Sequence, residues 1–254
     1  AAGYDPETSS ARFGTSLDVV LGEKTVYVQQ PKYYYFPFLP QKQFYERELF
    51  PWFAELEAAT DAIRAELLEV LREPDAFAPY VQGNPNRPRK DEAGMLDNPD
   101  WSAFYLWKNG EPVPENAARC PRTLAALANA PLARVPNRSP SILFSLLRPG
   151  AHIPAHHGLV NTRLICHLPL IVPGQCTFRV GNDVRDWVEG RAWAFDDTIE
   201  HEAWNDSDQL RVVLILDLWN PYLTPAEREL VTALSAGVGQ FYGDLPPYIT
   251  GGAV

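Results

Sequence analysis

Cysteine is scarce in this chain, whose 254 residues contain only Cys120, Cys166 and Cys176. Because these three are widely spaced and odd in number, the sequence predicts neither a disulfide framework nor a C-x-x-C zinc or redox site. Free thiols are typical of a reducing compartment, so we expect a cytoplasmic location.

Long apolar runs and an excess of positive charge are also missing. No run approaches the roughly 20 apolar residues that span a bilayer, and the N-terminus lacks the basic and then apolar segments of a signal peptide. The 22 Lys and Arg face 32 Asp and Glu, and the net charge is -10. These absences predict a soluble protein with no membrane span and no nucleic-acid partner.

The hydrophobic content of 46% is enough for one large core. We expect an extended N-terminal arm over residues 1–40, which contains a proline-interrupted aromatic stretch, and a single domain over 41–254. Apolar residues at helical spacing predict a helix over 52–73, and the aperiodic stretch 74–100 predicts a long loop. The loop and the arm either shape a substrate opening or cover the core.

The second half of the chain is rich in short β-prone runs. A short helix is predicted from Pro121, and a last helix over about 225–238. The predicted strands lie near residues 101–107, 141–148, 163–172, 176–180, 184–188, 191–195 and 211–219. Their close spacing, without long helical crossovers, favours a mainly β jelly roll with flanking helices and a β core over about 100–220.

All five histidines lie between positions 152 and 201. A histidine cluster in a jelly roll predicts a metal centre, although one histidine taken alone is more often a core or surface residue. Two patterns carry the prediction. AHIPAHHG at 151–158 is predicted as a loop after the strand around Ser145, and FDDTIEHEAW at 195–204 ends a strand in an acidic turn with His201 at its exit.

A reaction cavity is predicted on one face of the strand near 163–172. Alternation along this strand assigns one set of side chains to the core, namely Leu164, Cys166, Leu168 and Leu170. The opposite face carries Arg163, Ile165 and His167, a mixture of charged, apolar and imidazole groups that is typical of a reaction cavity.

Arg211 opens the apolar strand RVVLILDLW. A cation at the head of a buried strand is costly unless an anion meets it. Because Arg pairs bidentately with carboxylates, Arg211 suits a dicarboxylate cosubstrate. The alternative is a structural ion pair with Asp186 or Glu189.

Non-haem Fe(II) oxygenases bind iron through two His and usually one carboxylate, supplied by a His-x-Asp or His-x-Glu motif. The matching tripeptide here is His156-His157-Gly158, which has no carboxylate. Three segments nevertheless resemble the aspartyl/asparaginyl β-hydroxylase family of Fe(II)- and 2-oxoglutarate-dependent oxygenases: RPGAHIPAHHGLVNTRLICHLPL (148–170), WVEGRAWAFDDTIEHEAWNDSDQLRVVLILDLWNPYLTPAER (187–228) and, more weakly, WSAFYLWKNG (101–110). Members of that family carry Gly where the carboxylate would be, as Gly158 does.

The resemblance implies a double-stranded β-helix, a cupin-like jelly roll, with His156 and His201 as the catalytic Fe(II) ligands. It assigns Arg211 and Ser145 to the distal carboxylate of 2-oxoglutarate. It also assigns His167 to the metal-bound end of that cosubstrate.

The same resemblance places Trp107 in the wall of the cosubstrate pocket. The family has a second Arg two residues before His167, where this chain has Ile165. Arg163 lies on the same strand face and is the residue that could compensate.

The implied activity is hydroxylation of an unactivated C–H bond with O₂. The favoured substrate is the β-carbon of an Asp, Asn or similar amino-acid residue in a peptide or small molecule, and a lipid acyl chain ranks last. We expect the two histidines to hold the metal alone, with Asp196, Asp197 and Glu202 as rivals for a third ligand. The alternatives are a catalytically silent, cupin-like metal-binding protein and a zinc hydrolase, which leaves Arg211 unexplained.

Overall fold

The computed structural model of the chain describes residues 3–5, 7–83 and 94–242, and describes residues 241 and 242 by their backbone alone. The helices are α1 Ala11–Val20, α2 Phe53–Ala58, α3 Thr60–Val70, α4 Pro114–Ala117, α5 Pro121–Ala126 and α6 Pro225–Tyr242, with a 3-10 turn at Arg47–Leu49. The strands are β1 Ala78–Pro79, β2 Trp101–Lys108, β3 Glu111–Pro112, β4 Ile142–Leu147, β5 His152–His156, β6 Arg163–Ile171, β7 Cys176–Val180, β8 Asp183–Asp186, β9 Trp193–Phe195, β10 His201–Asn205 and β11 Arg211–Trp219.

The strands form two antiparallel sheets. The larger sheet has the order β1-β2-β4-β11-β6-β9, with β3 paired to β2, and the smaller has the order β5-β10-β7-β8. Inward-facing side chains of both sheets, such as Val213 of β11 and Phe178 of β7, belong to one apolar cluster. Two antiparallel sheets that pack through their inner faces form the predicted double-stranded β-helix, so the fold prediction is confirmed.

The outer face of the larger sheet packs against helices α2 and α3. Leu56, Ile63 and Leu67 of these helices are fully buried in one cluster with the outward side chains of the sheet. The carboxylate of Glu66, also on α3, accepts hydrogen bonds from the backbone N–H groups of Arg122 and Thr123 at 2.8 Å each. Glu66 therefore caps the N-terminus of α5, which has no side-chain cap of its own.

Strand β6 follows the predicted alternation. Its outward residues all lie in the outer core, namely Leu164, Cys166, Leu168 and Leu170. On the inner face, Arg163, Ile165 and His167 line a cavity between the sheets. The two faces of β6 thus differ, because one packs in the outer core and the other lines the cavity.

Several predicted boundaries are wrong. The helix predicted over 52–73 is interrupted at Ala59, where the Thr60 hydroxyl donates to the Glu57 carbonyl at 2.7 Å and competes with the helical ladder. The segment around His156 is strand β5, not a loop. The predicted acidic turn is present after Phe195, the end of β9, and His201 at its exit opens strand β10, which was not predicted. Strand β5 tolerates Pro154 because it is an edge strand.

The N-terminal arm is only partly extended. Residues 11–20 form α1, whose first turn is capped by the Ser10 side chain, so the prediction of extended chain is wrong there. Further along, the backbone N–H groups of Gln30 and Lys32 donate to the carbonyls of Thr198 (2.7 Å) and Gly158 (3.0 Å). The arm therefore runs beside the two segments that carry the candidate site.

The last helix begins as predicted at the Thr224-Pro225 pair. Thr224 and Glu227 form a reciprocal capping box, in which each backbone N–H donates to the other side chain. The helix continues to Tyr242, beyond the predicted end at about 238. Residues 84–93 of the predicted loop lie outside the described residues. In the part that is described, no helix has the length and apolar character needed to cross a membrane.

Candidate active site

His156 and His201 lie next to each other on paired strands. They are register partners of β5 and β10, and their ring centres are 4.1 Å apart. In each imidazole, Nδ1 contacts the backbone carbonyl two residues earlier, at 2.7 Å for His156 and 3.0 Å for His201. These carbonyls can only accept, so Nδ1 carries the proton and Nε2 is left as the free lone pair.

Burial keeps both imidazoles neutral. It lowers the pKa of His156 to about 4, and burial together with the neighbouring His156 holds the pKa of His201 well below its ordinary value. Neither Nε2 has a hydrogen-bond partner among the described residues. Two neutral nitrogen donors with fixed tautomers fit a divalent transition metal such as Fe(II).

Gly158 has no space for a side chain. A Cβ at this position would lie 2.2 Å from Cγ of Asp197, so the Asp197 carboxylate fills the room next to Gly158. One oxygen of this carboxylate accepts from Arg163 at 2.5 Å, while Oδ1 is buried and has no hydrogen-bond partner among the described residues. Burial raises the pKa of Asp197 to about 7. Only glycine at 158 allows Asp197 to occupy this position.

The rival third ligands have other partners. Asp196 accepts from the backbone N–H of Thr198 at 2.9 Å in an Asx-type turn, and Glu202 contacts His152 at 3.0 Å. In residues 3–5, 7–83 and 94–242, no set of three or more His, Cys, Asp or Glu side chains is arranged to hold a metal ion. The two-histidine centre stays a prediction.

Arg211 is a buried cation without a counter-charge. It is 2% exposed, forms no ion pair in the described part of the chain, and its Nε has no hydrogen-bond partner. Burial lowers its pKa to about 10. Glu189 pairs with Arg64 at 3.1 Å, so the predicted alternative of a structural pair with Asp186 or Glu189 is wrong. An uncompensated cation that lines the same cavity as the histidines fits an anionic ligand.

Ser145 and His167 lie in the same cavity as Arg211. The Ser145 hydroxyl accepts from Nε1 of Trp101 at 3.1 Å. His167 stacks on Trp187 with ring centres 5.3 Å apart, and the Arg211 guanidinium lies 5.2 Å from the same indole. Burial and the Arg211 charge hold the pKa of His167 well below its ordinary value, and its Nδ1 has no hydrogen-bond partner in the part of the chain that the structure describes. His167 therefore offers a neutral imidazole to a ligand.

Trp107 does not line this cavity, and its predicted place is wrong. It packs against the outer core, with the Arg134 guanidinium 5.5 Å from its ring centre. The reason is a register shift between Tyr105 and Trp107 in the pairing of β2 with β4, which turns the end of β2 to the other face. Trp101 at the start of the strand lines the cavity instead.

Arg163 lines the cavity, but its charge is already neutralised. Its guanidinium donates to Asp197 at 2.5 Å and to Asp217 at 2.6 Å. The expectation that Arg163 compensates for Ile165 therefore has no support in the geometry.

The sequence profile of the Aspartyl/Asparaginyl beta-hydroxylase family matches residues 57–221. This chain belongs to the aspartyl/asparaginyl β-hydroxylase family. The family predicted from the three sequence segments is confirmed, and the chain is a member of a hydroxylase family.

Three curated relatives illustrate the breadth of the β-hydroxylase family. The chain is 38% identical over 185 residues to the ornithine lipid ester-linked acyl 2-hydroxylase of Rhizobium tropici, covering 72% of this chain and 62% of that protein. It is 37% identical over 146 residues to the aspartyl/asparaginyl beta-hydroxylase of Mus musculus, covering 57% and 19%. It is 32% identical over 213 residues to the human aspartate beta-hydroxylase domain-containing protein 2, covering 82% and 56%. The chain thus spans only part of each relative.

Several cavity residues of this family member were not predicted from sequence, among them Trp101, Trp187 and Asp197 in its role beside Gly158. No sequence pattern around Trp187 predicts that its indole lies against both Arg211 and His167. The signal for Asp197 is its position in the acidic turn before His201, which indicates nearness to the site but not its contact with Gly158.

Proposed function

We propose that this chain is an Fe(II)- and 2-oxoglutarate-dependent dioxygenase that hydroxylates an unactivated C–H bond. The observation that carries the proposal is Arg211, a buried cation with no counter-charge in the described chain, in the cavity that contains the paired imidazoles of His156 and His201. A metal-binding protein without a cosubstrate, or a zinc hydrolase, has no use for such a costly group.

In this proposal, His156 and His201 hold Fe(II) through Nε2. Arg211 and Ser145 bind the distal carboxylate of 2-oxoglutarate, and His167 contacts the end near the metal. Bound iron supplies the activation of O₂, while 2-oxoglutarate supplies two electrons and leaves as succinate and CO₂. The Arg–carboxylate pair accounts for the selection of a dicarboxylate.

The cavity walls orient the ligands and exclude water. Trp187 lies against Arg211 and His167, and Phe178 and Phe195 pack around the same imidazole. An apolar wall strengthens the pairing of Arg211 with a carboxylate, because charge interactions grow as local polarity falls. It also protects a reactive site from side reactions with solvent.

The substrate proposed from the sequence is the β-carbon of an Asp, Asn or similar residue. A second candidate, the acyl chain of a lipid, is favoured by two observations. The Rhizobium tropici relative is named for ester-linked acyl hydroxylation. In addition, Arg163, a cavity cation that could receive a substrate carboxylate, is already paired with Asp197 and Asp217. The cytoplasmic location stays a proposal, consistent with three free thiols.

The test is an anaerobic titration of the purified chain with Fe(II) and 2-oxoglutarate, followed by exposure to air. The expected result is a weak visible charge-transfer band, and then release of succinate. A chain that binds metal but gives neither band nor succinate is the silent cupin-like protein. A chain that requires Zn²⁺ and ignores 2-oxoglutarate is the hydrolase.

A further inference from the structure

Trp101 forms a buried hydrogen bond with Ser145, a residue that the proposed function assigns to the cosubstrate. The indole Nε1 of Trp101 lies 3.1 Å from the hydroxyl oxygen of Ser145, and the two residues are 6% and 1% exposed. An indole N–H can only donate, so the Ser145 oxygen is the acceptor. The indole therefore occupies one lone pair of the hydroxyl from the side of β2.

The register of the larger sheet explains this contact. Trp101 of β2 and Arg211 of β11 are both register partners of Leu147 on β4, the strand between them. Ser145 lies two residues earlier on β4 and on the same face, so it is the diagonal neighbour of both. Diagonal neighbours on paired strands are about 7–8 Å apart, a distance that long side chains can span. Ser145 is thus placed between Trp101 on one neighbouring strand and Arg211 on the other.

The hydroxyl hydrogen of Ser145 has no acceptor among the described residues. The register partners of Ser145 on the two neighbouring strands are Ala103 and Val213, whose side chains carry no acceptor. A buried hydroxyl loses free energy when its hydrogen has no partner. Arg211 forms no ion pair within the described chain and lines the same cavity. An anion held by Arg211 would therefore satisfy the cation and the hydroxyl together.

A stacked ring restricts the indole that donates to Ser145. Tyr80 lies over Trp101 with ring centres 4.1 Å apart and an interplanar angle of 13°. The backbone sets this pairing, because the N–H of Tyr80 donates to the carbonyl of Trp101 at 2.9 Å. A buried indole that is stacked on one face and hydrogen-bonded at Nε1 has little freedom to rotate. The direction of its N–H is therefore fixed before any ligand binds.

We propose that Trp101 is a positioning residue for the Ser145 hydroxyl. Because the indole N–H occupies the lone pair on the side of β2, it turns the hydroxyl hydrogen towards the carboxylate that Arg211 binds. Ser145 then acts as a donor to a charged acceptor, which is a strong kind of hydrogen bond. The inference rests on the proposed function for the identity of that carboxylate as the distal end of 2-oxoglutarate. The orientation of the hydroxyl does not require turnover.

The first test is calorimetric titration of the full chain with glutarate, a dicarboxylate without the 2-oxo group, in the presence of a chelator. The ring of Trp101 also lies 6.0 Å from that of His156, so leaving out the metal separates an effect on Ser145 from an effect on a proposed metal ligand. Trp101→Phe keeps an aromatic ring and removes the N–H. It should weaken glutarate binding at least about fivefold, or about 1.0 kcal/mol at 1.4 kcal/mol per factor of ten.

A double-mutant cycle with Ser145→Ala separates positioning from packing. Ser145→Ala alone should weaken glutarate binding about tenfold, because a donor to a charged group is lost. In the Ser145→Ala background, Trp101→Phe should have no further effect, since no hydroxyl is left to orient. Equal weakening by Trp101→Phe in both backgrounds, or no weakening in either, would overturn the inference.

Tyr105 provides a matched control on the same face of β2. It lines the same cavity and stacks with Tyr80 at 6.3 Å between ring centres, but it forms no hydrogen bond with Ser145. Tyr105→Phe also keeps a ring and removes a polar group, and it should leave glutarate affinity unchanged. Thermal unfolding of each variant controls for folding. A loss of affinity in Tyr105→Phe equal to that in Trp101→Phe contradicts the specific role of the indole N–H.

The indole N–H signals of a chain labelled with ¹⁵N-tryptophan give a second measurement that does not depend on the folding of Trp101→Phe. Among the seven tryptophans, one should give a signal that Ser145→Ala shifts. Glutarate should shift the same signal while Ser145 is present, and should leave it in place in Ser145→Ala. If no signal responds in both ways, the inference is wrong.

The inference and the proposed function fail in different experiments. If the unsubstituted chain binds no glutarate, the inference is overturned, while succinate formation from 2-oxoglutarate still decides the proposed function. If the cycle gives the expected result but no succinate forms with Fe(II), 2-oxoglutarate and air, the proposed function fails and the role of Trp101 stands.

Discussion

The two faces of the larger sheet are made from the same strands and have opposite properties. Outward side chains such as Leu168 and Leu214 are fully buried among helices and other apolar groups. Inward, the same strands carry His167 and Arg211, each with a buried nitrogen atom that has no hydrogen-bond partner within residues 3–5, 7–83 and 94–242. The outer face is packed by the protein itself, whereas the inner face keeps polar atoms that a bound ligand would satisfy.

This contrast shows which part of the fold loses stability to buried polar groups without partners. Polar groups without partners each cost on the order of 1–3 kcal/mol when buried. Residues with such atoms line the cavity between the sheets, among them His167, Trp187, Asp197 and Arg211. Changes on the outer face should therefore reduce stability and spare ligand binding, while changes on the inner face should do the reverse.

The largest expected effect comes from removal of one of the two histidines that line the cavity from the smaller sheet, opposite this inner face. Loss of a residue that merely supports a metal ligand typically costs 10–100-fold, so His156→Ala and His201→Ala should lose more than about 100-fold in turnover and in Fe(II) affinity. His157→Ala should retain substantial activity as the neighbouring control. Succinate formation and metal titration measure both. Normal turnover by His201→Ala would remove the basis of the two-histidine centre.

A pair of substitutions on β11 tests the contrast directly. Leu214→Ala, on the outer face, should lower the free energy of unfolding by about 2–5 kcal/mol and leave 2-oxoglutarate affinity unchanged. Arg211→Met, on the inner face, should raise the KM for 2-oxoglutarate about 30-fold or more, with little change in metal affinity. It should also maintain or increase stability, because a buried cation is replaced by an apolar chain. Unchanged cosubstrate affinity in Arg211→Met would contradict the role of Arg211.

Acid should destabilise the cavity between the sheets, which His156 lines from β5. The pKa of His156 falls from 6.5 to about 4 on burial, so below its unfolded pKa the unfolded state binds more protons than the folded state. The stability that this group contributes is present above pH 6.5 and is lost as the pH falls towards 4, up to about 3 kcal/mol at 1.36 kcal/mol per unit. Urea unfolding of the metal-free chain across this range measures the loss. A smaller slope in His156→Gln supports the assignment, and an identical slope refutes it.

The smallest expected effect concerns Ile165. Arg163 is held by Asp197 and Asp217, so Ile165→Arg should add a free cation to the cavity and tighten 2-oxoglutarate binding by about tenfold, or 1.4 kcal/mol. The matched Ile165→Met, which adds length without charge, should leave the affinity unchanged. Equal or weaker affinity in Ile165→Arg would show that the cosubstrate is anchored in another way.

Features that depend on short-range periodicity were predictable from the sequence. The alternation along β6 separated Leu164 and Cys166 from Ile165 and His167, because neighbouring side chains of a strand point to opposite faces. The family resemblance supplied the pairing of two distant histidine segments. The metal, the cosubstrate and the individual site roles remain predictions.

Features that depend on distant contacts were not predictable. The register shift near Trp107 follows from the pairing of β2 with β4, which residue spacing within β2 does not reveal. The space that Asp197 takes beside Gly158 is set where the loop after β5 meets the loop after β9. Whether the charge of Arg163 is neutralised depends on its ion pair with Asp217 of β11, and the sequence of β6 does not show that this pair forms.

The position of the arm has a consequence for the time at which the site is completed. Gln29 donates to Asp196 at 2.5 Å and accepts from Asn161 at 3.0 Å, contacts that join residues 167 and 132 positions apart. During synthesis the arm emerges early and has to wait for partners made much later. Contacts between such distant residues also form slowly, since a long loop must close first. The segments around Gly158 and Thr198 are thus held by residues far away in the sequence, so we expect these contacts to form after the strands of the β-helix have paired.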